Sequence, residues 1–359
     1  MKPRVSLIKG DDRYANVSLA LAQIPGDVVF DGVQRVVIKP NLVSLRQHSA
    51  THIDALRAVL DFVRARYNGS VVIAEGAALD NTFDSFAHYG FETLGDRYGI
   101  GFVDLNADDV VPVQVYRRHF QPTTLHLARI VVESDLRISV GPPKTHDSAI
   151  VTCSIKNMVM GTLVNRIVAP RSNGSEGEGS RPKRSMLPLL DKLVPHWLRY
   201  SGLAHAVMAL IADSAGSDKF AMHQGYPMIN LNLANLAPWV WPHLAVVDGF
   251  LAMEGRGPTA GDPVDWRVAL AGTDALAVDA LTASLMGFDP LQIGYLSYCY
   301  QLGLGEGDVA AIETVGNVRP KAVRRKFKPH PAFRQQQLWR LDNAERYLGK
   351  ASRVREVDG

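Results

Sequence analysis

Between Arg137 and Gly161 the chain reads RISVGPPKTHDSAIVTCSIKNMVMG, with Lys144, Thr145, His146 and Asp147 in a row and Ser154, Lys156 and Asn157 close behind. Two ammonium groups, an imidazole and several hydroxyls so close together could fix a carboxylate or phosphate and exchange a proton near neutral pH. Residues two apart on an extended segment point the same way, so Lys144 and His146 could face one pocket. Otherwise His146 caps a turn and Lys144 meets solvent. Lys156, between small polar residues and an apolar run, is either partly buried, with a lowered pKa suited to base or covalent work, or the structural ion-pair partner of Asp248 or Glu254. Cys153 is either a nucleophile or a buried structural thiol.

The elements that must position these groups follow from the apolar pattern. Leu136, Ile138 and Val140 form a strand that breaks at Gly141-Pro142-Pro143. Further strands are predicted over residues 3–9, Arg35–Ile38 ending at Lys39-Pro40-Asn41, Val71–Ala74 ending at Glu75-Gly76, and Gly101–Leu105. Helices are predicted over Ala15–Ile24, from Thr51 with Ile53, Leu56, Val59, Leu60 and Val63 at helical spacing, and over Ser85–Leu94. This alternation predicts an α/β fold, a mostly parallel doubly wound sheet with helices on both faces. The C-terminal ends of parallel strands share one edge, so Lys39, Asn41, Glu75, Lys144 and His146 are expected to converge, whereas Asp104 and Asn106 read as caps.

The second half offers a strand over Leu244–Val247 with an Asp248-Gly249 turn, the loop from Glu254 through Gly255 and Gly257 to Gly261, a strand over Val268–Ala271 and a helix over Ala275–Met286. Glycines at 255 and 257 let the backbone approach a ligand, or else build a tight surface loop. Neither a Walker A loop nor a GxGxxG fingerprint is present. Asp274 sits at an N-cap position, while Asp279 lies inside an apolar helix and needs a partner, for which a lysine of the core motifs is a candidate.

With 359 residues, 47% of them hydrophobic, the chain can bury a substantial core. Its two cysteines, Cys153 and Cys299, have no metal-ligand spacing, which argues against a disulfide framework, a zinc ribbon and an iron–sulfur cluster and points to a reducing cytoplasm. The N-terminus enters a strand pattern without a signal region, and no apolar run reaches the roughly 18–20 residues of a membrane span. Residues 317–359 carry 12 Lys/Arg against 4 Asp/Glu, and residues 165–205 carry 7 against 3, leaving an acidic body under a total of +3. The pattern divides the chain into an α/β domain over 1–318, readable as two lobes over 1–164 and 206–318, a flexible basic insertion over 165–205, and a basic C-terminal tail over 319–359. The tail either packs on the body or docks a partner, and it lacks the interleaved aromatics that nucleic-acid stacking requires.

The stretches VVIKPNLV, GPPKTHDSAIVTCSIKNMVMG, VVDGFLAMEGRGPTAG, AGTDALAVDALTASLMGFDP and YQLGLGEGD, in this order, resemble those of the DUF362 family, over roughly residues 3–318. The family has no settled function. The resemblance implies kinship with proteins many of which carry a ferredoxin-like iron–sulfur module, which two cysteines cannot supply.

The expected function is a cytoplasmic enzyme acting on a small anionic metabolite bearing a carboxylate or phosphate. Lys144, His146 and Lys156 form the expected catalytic set, and Lys39, Asn41, Asn157, Gly255 and Gly257 the substrate contacts. Glu75, Asp248 and Glu254 are candidate ligands of a divalent metal ion, the one cofactor class the residues suggest. The alternative is a non-catalytic metal- or cofactor-binding scaffold whose basic tail docks a partner; homo-oligomerisation stays open.

Overall fold

Arg35-Val36-Val37-Ile38-Lys39 alternates apolar side chains to both faces and then meets Pro40, which cannot donate to a ladder, so the strand ends where the chemistry begins. In a computed structural model, which describes residues 2–43, 45, 50–166 and 217–354, this pattern recurs along the chain. The first part contains β1 (Arg4–Lys9), α1 (Arg13–Ala22), β2 (Arg35–Lys39), α2 (Ile53–Arg64), β3 (Ser70–Glu75), α3 (Thr82–His88), α4 (Leu94–Tyr98) and β4 (Gly101–Asp104). There follow β5 (Val110–Tyr116), β6 (Pro122–Ala128), α5 (Arg129–Val132), β7 (Leu136–Gly141), β8 (Lys144–His146), β9 (Ile150–Thr152) and α6 (Ser154–Thr162). After the undescribed stretch come α7 (Asp218–Ala221), α8 (Tyr226–Leu236), β10 (Leu244–Glu254), β11 (Asp262–Gly272), α9 (Ala275–Leu285), α10 (Gly294–Gln301), β12 (Glu313–Gly316), α11 (Pro320–Val323), α12 (Phe333–Gln336) and β13 (Ser352–Arg353). The basic insertion expected over 165–205 lies outside the described residues from 167 onward.

The main sheet has ten strands, ordered β12-β1-β11-β10-β7-β2-β3-β4, with β8 and β9 attached as a hairpin beside β10. Its central neighbours β10, β7, β2, β3 and β4 are all parallel, whereas β11 runs antiparallel to both β1 and β10. The α/β, mostly parallel, doubly wound fold read from the sequence is what forms. Strands from both halves of the chain enter this one sheet, because β7 pairs with β10.

Helices cover both faces. On one, α1, α2 and α3 bury Val17, Leu21, Leu56, Val59 and Phe86 against Val36, Ile38, Ile138 and Val246. On the other, α6, α8, α9 and α10 bury Ile155, Met158, Leu231, Leu281 and Tyr295 against Val37, Val247 and Leu270. Odd and even positions of one strand serve opposite cores, as the period of two demands. The antiparallel sheet β13-β5-β6, which the sequence pattern did not disclose, packs on this second core through Val113 and Leu127.

One further difference from the sequence reading has a local cause. The Asp248-Gly249 pair is a bulge within β10 rather than a turn: the register shifts between Gly249 and Leu251, and the strand continues to Glu254. A Cβ at Gly249 would lie 2.7 Å from Val268 Cγ2, so the bulge needs glycine. The basic C-terminal segment folds onto the body: Phe327 and Trp339 are each 2% exposed in the second core, while Lys321, Arg324, Arg325 and Lys326 point outward. Burying an aromatic of this size contributes about 1.5–3 kcal/mol, enough to hold a segment with no long element of its own.

Candidate functional site

Lys39 ends β2 and Glu75 ends β3, side by side in a parallel pair, and neither can reach solvent: they are 1% and 2% exposed. The Lys39 ammonium donates to Glu75 at 3.0 Å, to Asn157 Oδ1 at 3.0 Å and to the Pro40 carbonyl at 2.9 Å. Glu75 also accepts the backbone N–H groups of Leu42 at 2.9 Å and Gly76 at 2.8 Å. Asn157 reaches this point from α6, and its Oδ1 also accepts from Asn41 Nδ2 at 2.8 Å. Asn41 is fixed in turn by Thr51, whose hydroxyl accepts the Asn41 N–H at 2.7 Å and donates to the Val140 carbonyl at 2.8 Å.

The β8–β9 hairpin supplies the second half. Lys144 is fully buried and donates to Asn41 Oδ1 at 2.6 Å. Burial, with Lys156 and Lys39 nearby against an opposing pull from Glu75, lowers its pKa to about 7. His146 shares the β8 face with Lys144, and its Nε2 lies 2.8 Å from Lys156 Nζ. Burial and the Lys156 charge lower the histidine to about 3, so the ring is neutral, and burial lowers Lys156 to about 8. On the other side of the ring, Nδ1 is 3.0 Å from Asp147 Oδ1 and 2.9 Å from the Ser148 N–H. With Nδ1 protonated the ring donates to Asp147 and accepts from the lysine ammonium; with Nε2 protonated it accepts from Ser148 and donates to a neutral lysine amine. Both placements of the proton therefore have partners.

The hairpin is strained and braced. Ile150, a β-branched residue paired with His146, sits at φ 66°, a left-handed backbone that costs of order 1–3 kcal/mol and persists only where the surroundings impose it. The brace comes from α12, where buried Gln336 donates to the His146 carbonyl.

Lys219 is a site residue that carried no legible signal in the sequence. Lys219 on α7 is 4% exposed and donates to the carbonyls of Met160 and Gly161 at the end of α6, at 2.8 and 3.0 Å. Burial lowers its pKa to about 7. Gly161 is required there: a Cβ would lie 1.7 Å from Lys39 Cε. The start of α6 is held by Asp279, which accepts the N–H groups of Ser154 and Ile155, each at 2.9 Å, and the Ser154 hydroxyl. The partner of Asp279 is thus a helix N-terminus, not a lysine, and burial raises its pKa to about 7. Asp274 caps α9 by accepting from the Ala277 N–H at 2.9 Å. Asp104 accepts from the Thr82 hydroxyl at 2.7 Å and the Asn106 N–H at 2.9 Å, which ties the turn after β4 to the start of α3, whose cap is Asn81 rather than Asp104. Cys153 is buried and its thiol is pushed up, which suits a structural role.

Of the residues singled out from the sequence, Lys39, Asn41, Glu75, Lys144, His146, Lys156 and Asn157 come together. Asp248, Glu254, Gly255 and Gly257 do not join them. Asp248 points to the opposite face, 3.2 Å from Arg13 Nε, because it shares the alternation of Val246. Glu254 accepts the Lys328 N–H at 3.0 Å. Gly255 and Gly257 pack against β8: the Thr145 hydroxyl donates to the Gly255 carbonyl at 3.1 Å, and a Cβ at Gly257 would lie 1.9 Å from the Thr145 carbonyl oxygen. The three carboxylates offered as metal ligands therefore go to three different partners, and among the described residues no three His, Cys, Asp or Glu side chains gather as a metal-binding set. A narrow gap lined by Asn41, Ser139, Gly141, Cys153, Ser154 and Asn157 adjoins the cluster and is too tight to hold a water molecule.

A family model described as a domain of unknown function, DUF362, matches residues 36–284, which include every residue of this cluster. The chain belongs to the DUF362 family. A thylakoid-associated protein of Synechocystis sp., sll1697, is 33% identical over 72 residues, which are 20% of this chain and 22% of that one. Among solved structures, a Thermotoga maritima protein aligns with a TM-score of 0.34 and 12% identity, over 45% of this chain and 41% of that one. The lactate racemase apoprotein of Thermoanaerobacterium thermosaccharolyticum aligns with a TM-score of 0.32 and 17% identity, over 44% and 38%. The DUF362 chain thus spans less than half the length of each. No helix among its described residues is long and apolar enough to cross a membrane.

Proposed function

We propose that this DUF362 protein is an enzyme acting on a small anionic metabolite at the Lys39–Lys144–His146–Lys156 cluster. The observation that carries the reading is an imbalance of buried charge. Lys39 and Lys144 are both buried and both feel one buried carboxylate, Glu75, while Lys219, which feels it too, also has Asp104 and Asp218, and Lys156 has the half-buried Asp147. Burying an ammonium without a full counter-ion costs several kcal/mol, so two buried lysines that share one carboxylate suit a ligand that brings a further anion. Lys39 and Lys144 would hold its carboxylate or phosphate, Asn41 and Asn157 would orient it, and His146 with Lys156 would move a proton.

Calorimetric titration of the full chain with inorganic phosphate and with small carboxylates tests this. Lys144→Ala is expected to weaken binding at least about tenfold, the loss of one charge-assisted hydrogen bond of about 1.5–3 kcal/mol. If Lys144→Ala and His146→Ala proteins unfold at the wild-type temperature and bind every such ion unchanged, the cluster is not an anion site.

A further inference from the structure

We propose that a ligand reaches the lysine cluster when the segment over residues 329–338 lifts off the β8–β9 hairpin, with Gln336 as the latch that holds this cover shut. This rests on the anion site proposed above and names how that site is entered.

The cluster has no open approach. Lys39, Lys144, His146 and Lys156 are each 5% exposed or less, and the gap beside them is too tight for a water molecule, so a wall must move before a ligand can enter. Most walls are pinned. β2, β3 and β7 have ladders on both sides, and α6 is held at its start by Asp279 and at its end by Lys219. The hairpin is the exception. β8 meets β10 at one pair, Lys144 with Met253, and β9 pairs with β8 alone among the described strands.

The segment laid against the hairpin is a strap fixed at its two ends. At one end Phe327 packs on Trp266 with ring centroids 5.1 Å apart, and Lys328 exchanges backbone bonds with the Glu254 carboxylate and the Gly255 N–H. At the other, Trp339 packs on Tyr298 at 5.0 Å and donates its indole N–H to the Gln292 carbonyl at 2.9 Å. Between these anchors His330, Ala332 and Gln336 are the buried residues, two of them polar, and Leu338 is 71% exposed. So little apolar burial places the middle of the strap at the low-stability end of the fold. Its bond to the hairpin runs from Gln336 Nε2 to the His146 carbonyl.

The closed arrangement is also disfavoured from within. Gln336 Oε1 and, on β9 opposite Lys144, Thr152 Oγ1 are buried without a hydrogen-bond partner. Ile150, opposite His146, keeps its left-handed backbone. Release of strap and hairpin gives both oxygens to water and lets Ile150 relax, so the unfavourable features gathered here are those that opening relieves.

Pulsed reductive methylation of the full chain with formaldehyde and sodium cyanoborohydride, read lysine by lysine through peptide mapping, tests this. Gln336→Met keeps the side-chain volume and removes the latch. It is expected to raise the labelling rates of Lys144 and Lys156 about fivefold, the effect of one lost hydrogen bond, while Lys39 and Lys219, bound to Glu75 and to the end of α6, keep theirs. Taking each lysine against itself in the wild type cancels differences in amine pKa. Equal acceleration of all four, or of none, overturns the strap. Should the variant misfold, hydrogen exchange of the wild type decides: the hydrogen-bonded β8–β9 amides should exchange faster than those of β2, and equally slow exchange overturns the proposal. Inorganic phosphate separates the two readings. Slower labelling of Lys144 in phosphate supports the anion site. Acceleration at Lys144 and Lys156 that phosphate does not slow keeps the strap and overturns the anion site; phosphate protection with no acceleration in Gln336→Met keeps the anion site and overturns the strap.

Discussion

Replacing Lys144 by methionine sets stability against binding. The side chain is fully buried, and its pKa of about 7 instead of the ordinary 10.5 corresponds to about 5 kcal/mol of penalty on the charged form. Against this, Asn41 Oδ1 loses a donor, which costs about 1–3 kcal/mol, and methionine fills a similar volume. The variant should therefore be more stable than wild type by about 2–4 kcal/mol at pH 6.5 in an anion-poor buffer. The pH dependence has a definite sign. Below pH 7 Lys144 is protonated in both states and the penalty is fully present; as pH rises through 7 the folded state alone sheds the proton, so the wild type gains about 1 kcal/mol between pH 6.5 and 8. Lys144→Met lacks that gain. Urea unfolding at the two pH values measures both quantities, and calorimetry with phosphate measures the accompanying loss of binding. A variant that is less stable than wild type by 2 kcal/mol or more at pH 6.5, or that binds phosphate as wild type does, would refute the view of Lys144 as a strained cation kept for an anion.

Glu75→Gln leaves Lys39 without its carboxylate and turns an amide N–H toward backbone donors, so it should destabilise by about 3–5 kcal/mol, with partial recovery in phosphate, read by thermal unfolding. Gly161→Ala forces a methyl onto Lys39 and should cost about 1–3 kcal/mol or more and weaken phosphate binding; unchanged unfolding would mean that Lys39 is not held where it lies. Asp279, raised to about 7 by burial, binds its proton more tightly in the folded than in the unfolded state. Wild-type stability should therefore fall as pH rises from about 4 to 7, and Asp279→Asn should flatten that slope in urea titrations.

The lysine, histidine and asparagine types at 39, 41, 144, 146, 156 and 157 are legible in the sequence, and so is the place of Lys39, Asn41 and Lys144 by strand ends, because period-two burial and Pro40, Pro142 and Pro143 mark where each strand stops. Parallel order then requires those ends to share an edge, and the convergence of Lys39, Glu75 and Lys144 follows. What the chain could not disclose is pairing at a distance. The face that Asp248 takes depends on where the β10 bulge falls, and Glu254 and the glycine loop are claimed by Lys328 and Thr145, contacts set by how the C-terminal segment and β8 pack. Lys219 lies 58 residues beyond Gly161 in sequence and reaches it only because α7 docks at the end of α6. Local pattern determined which groups this protein has and which edge they occupy. Only the tertiary structure decided that the buried Lys39 and Lys144 share a single carboxylate, Glu75, since a charge imbalance belongs to a volume rather than to a stretch of chain.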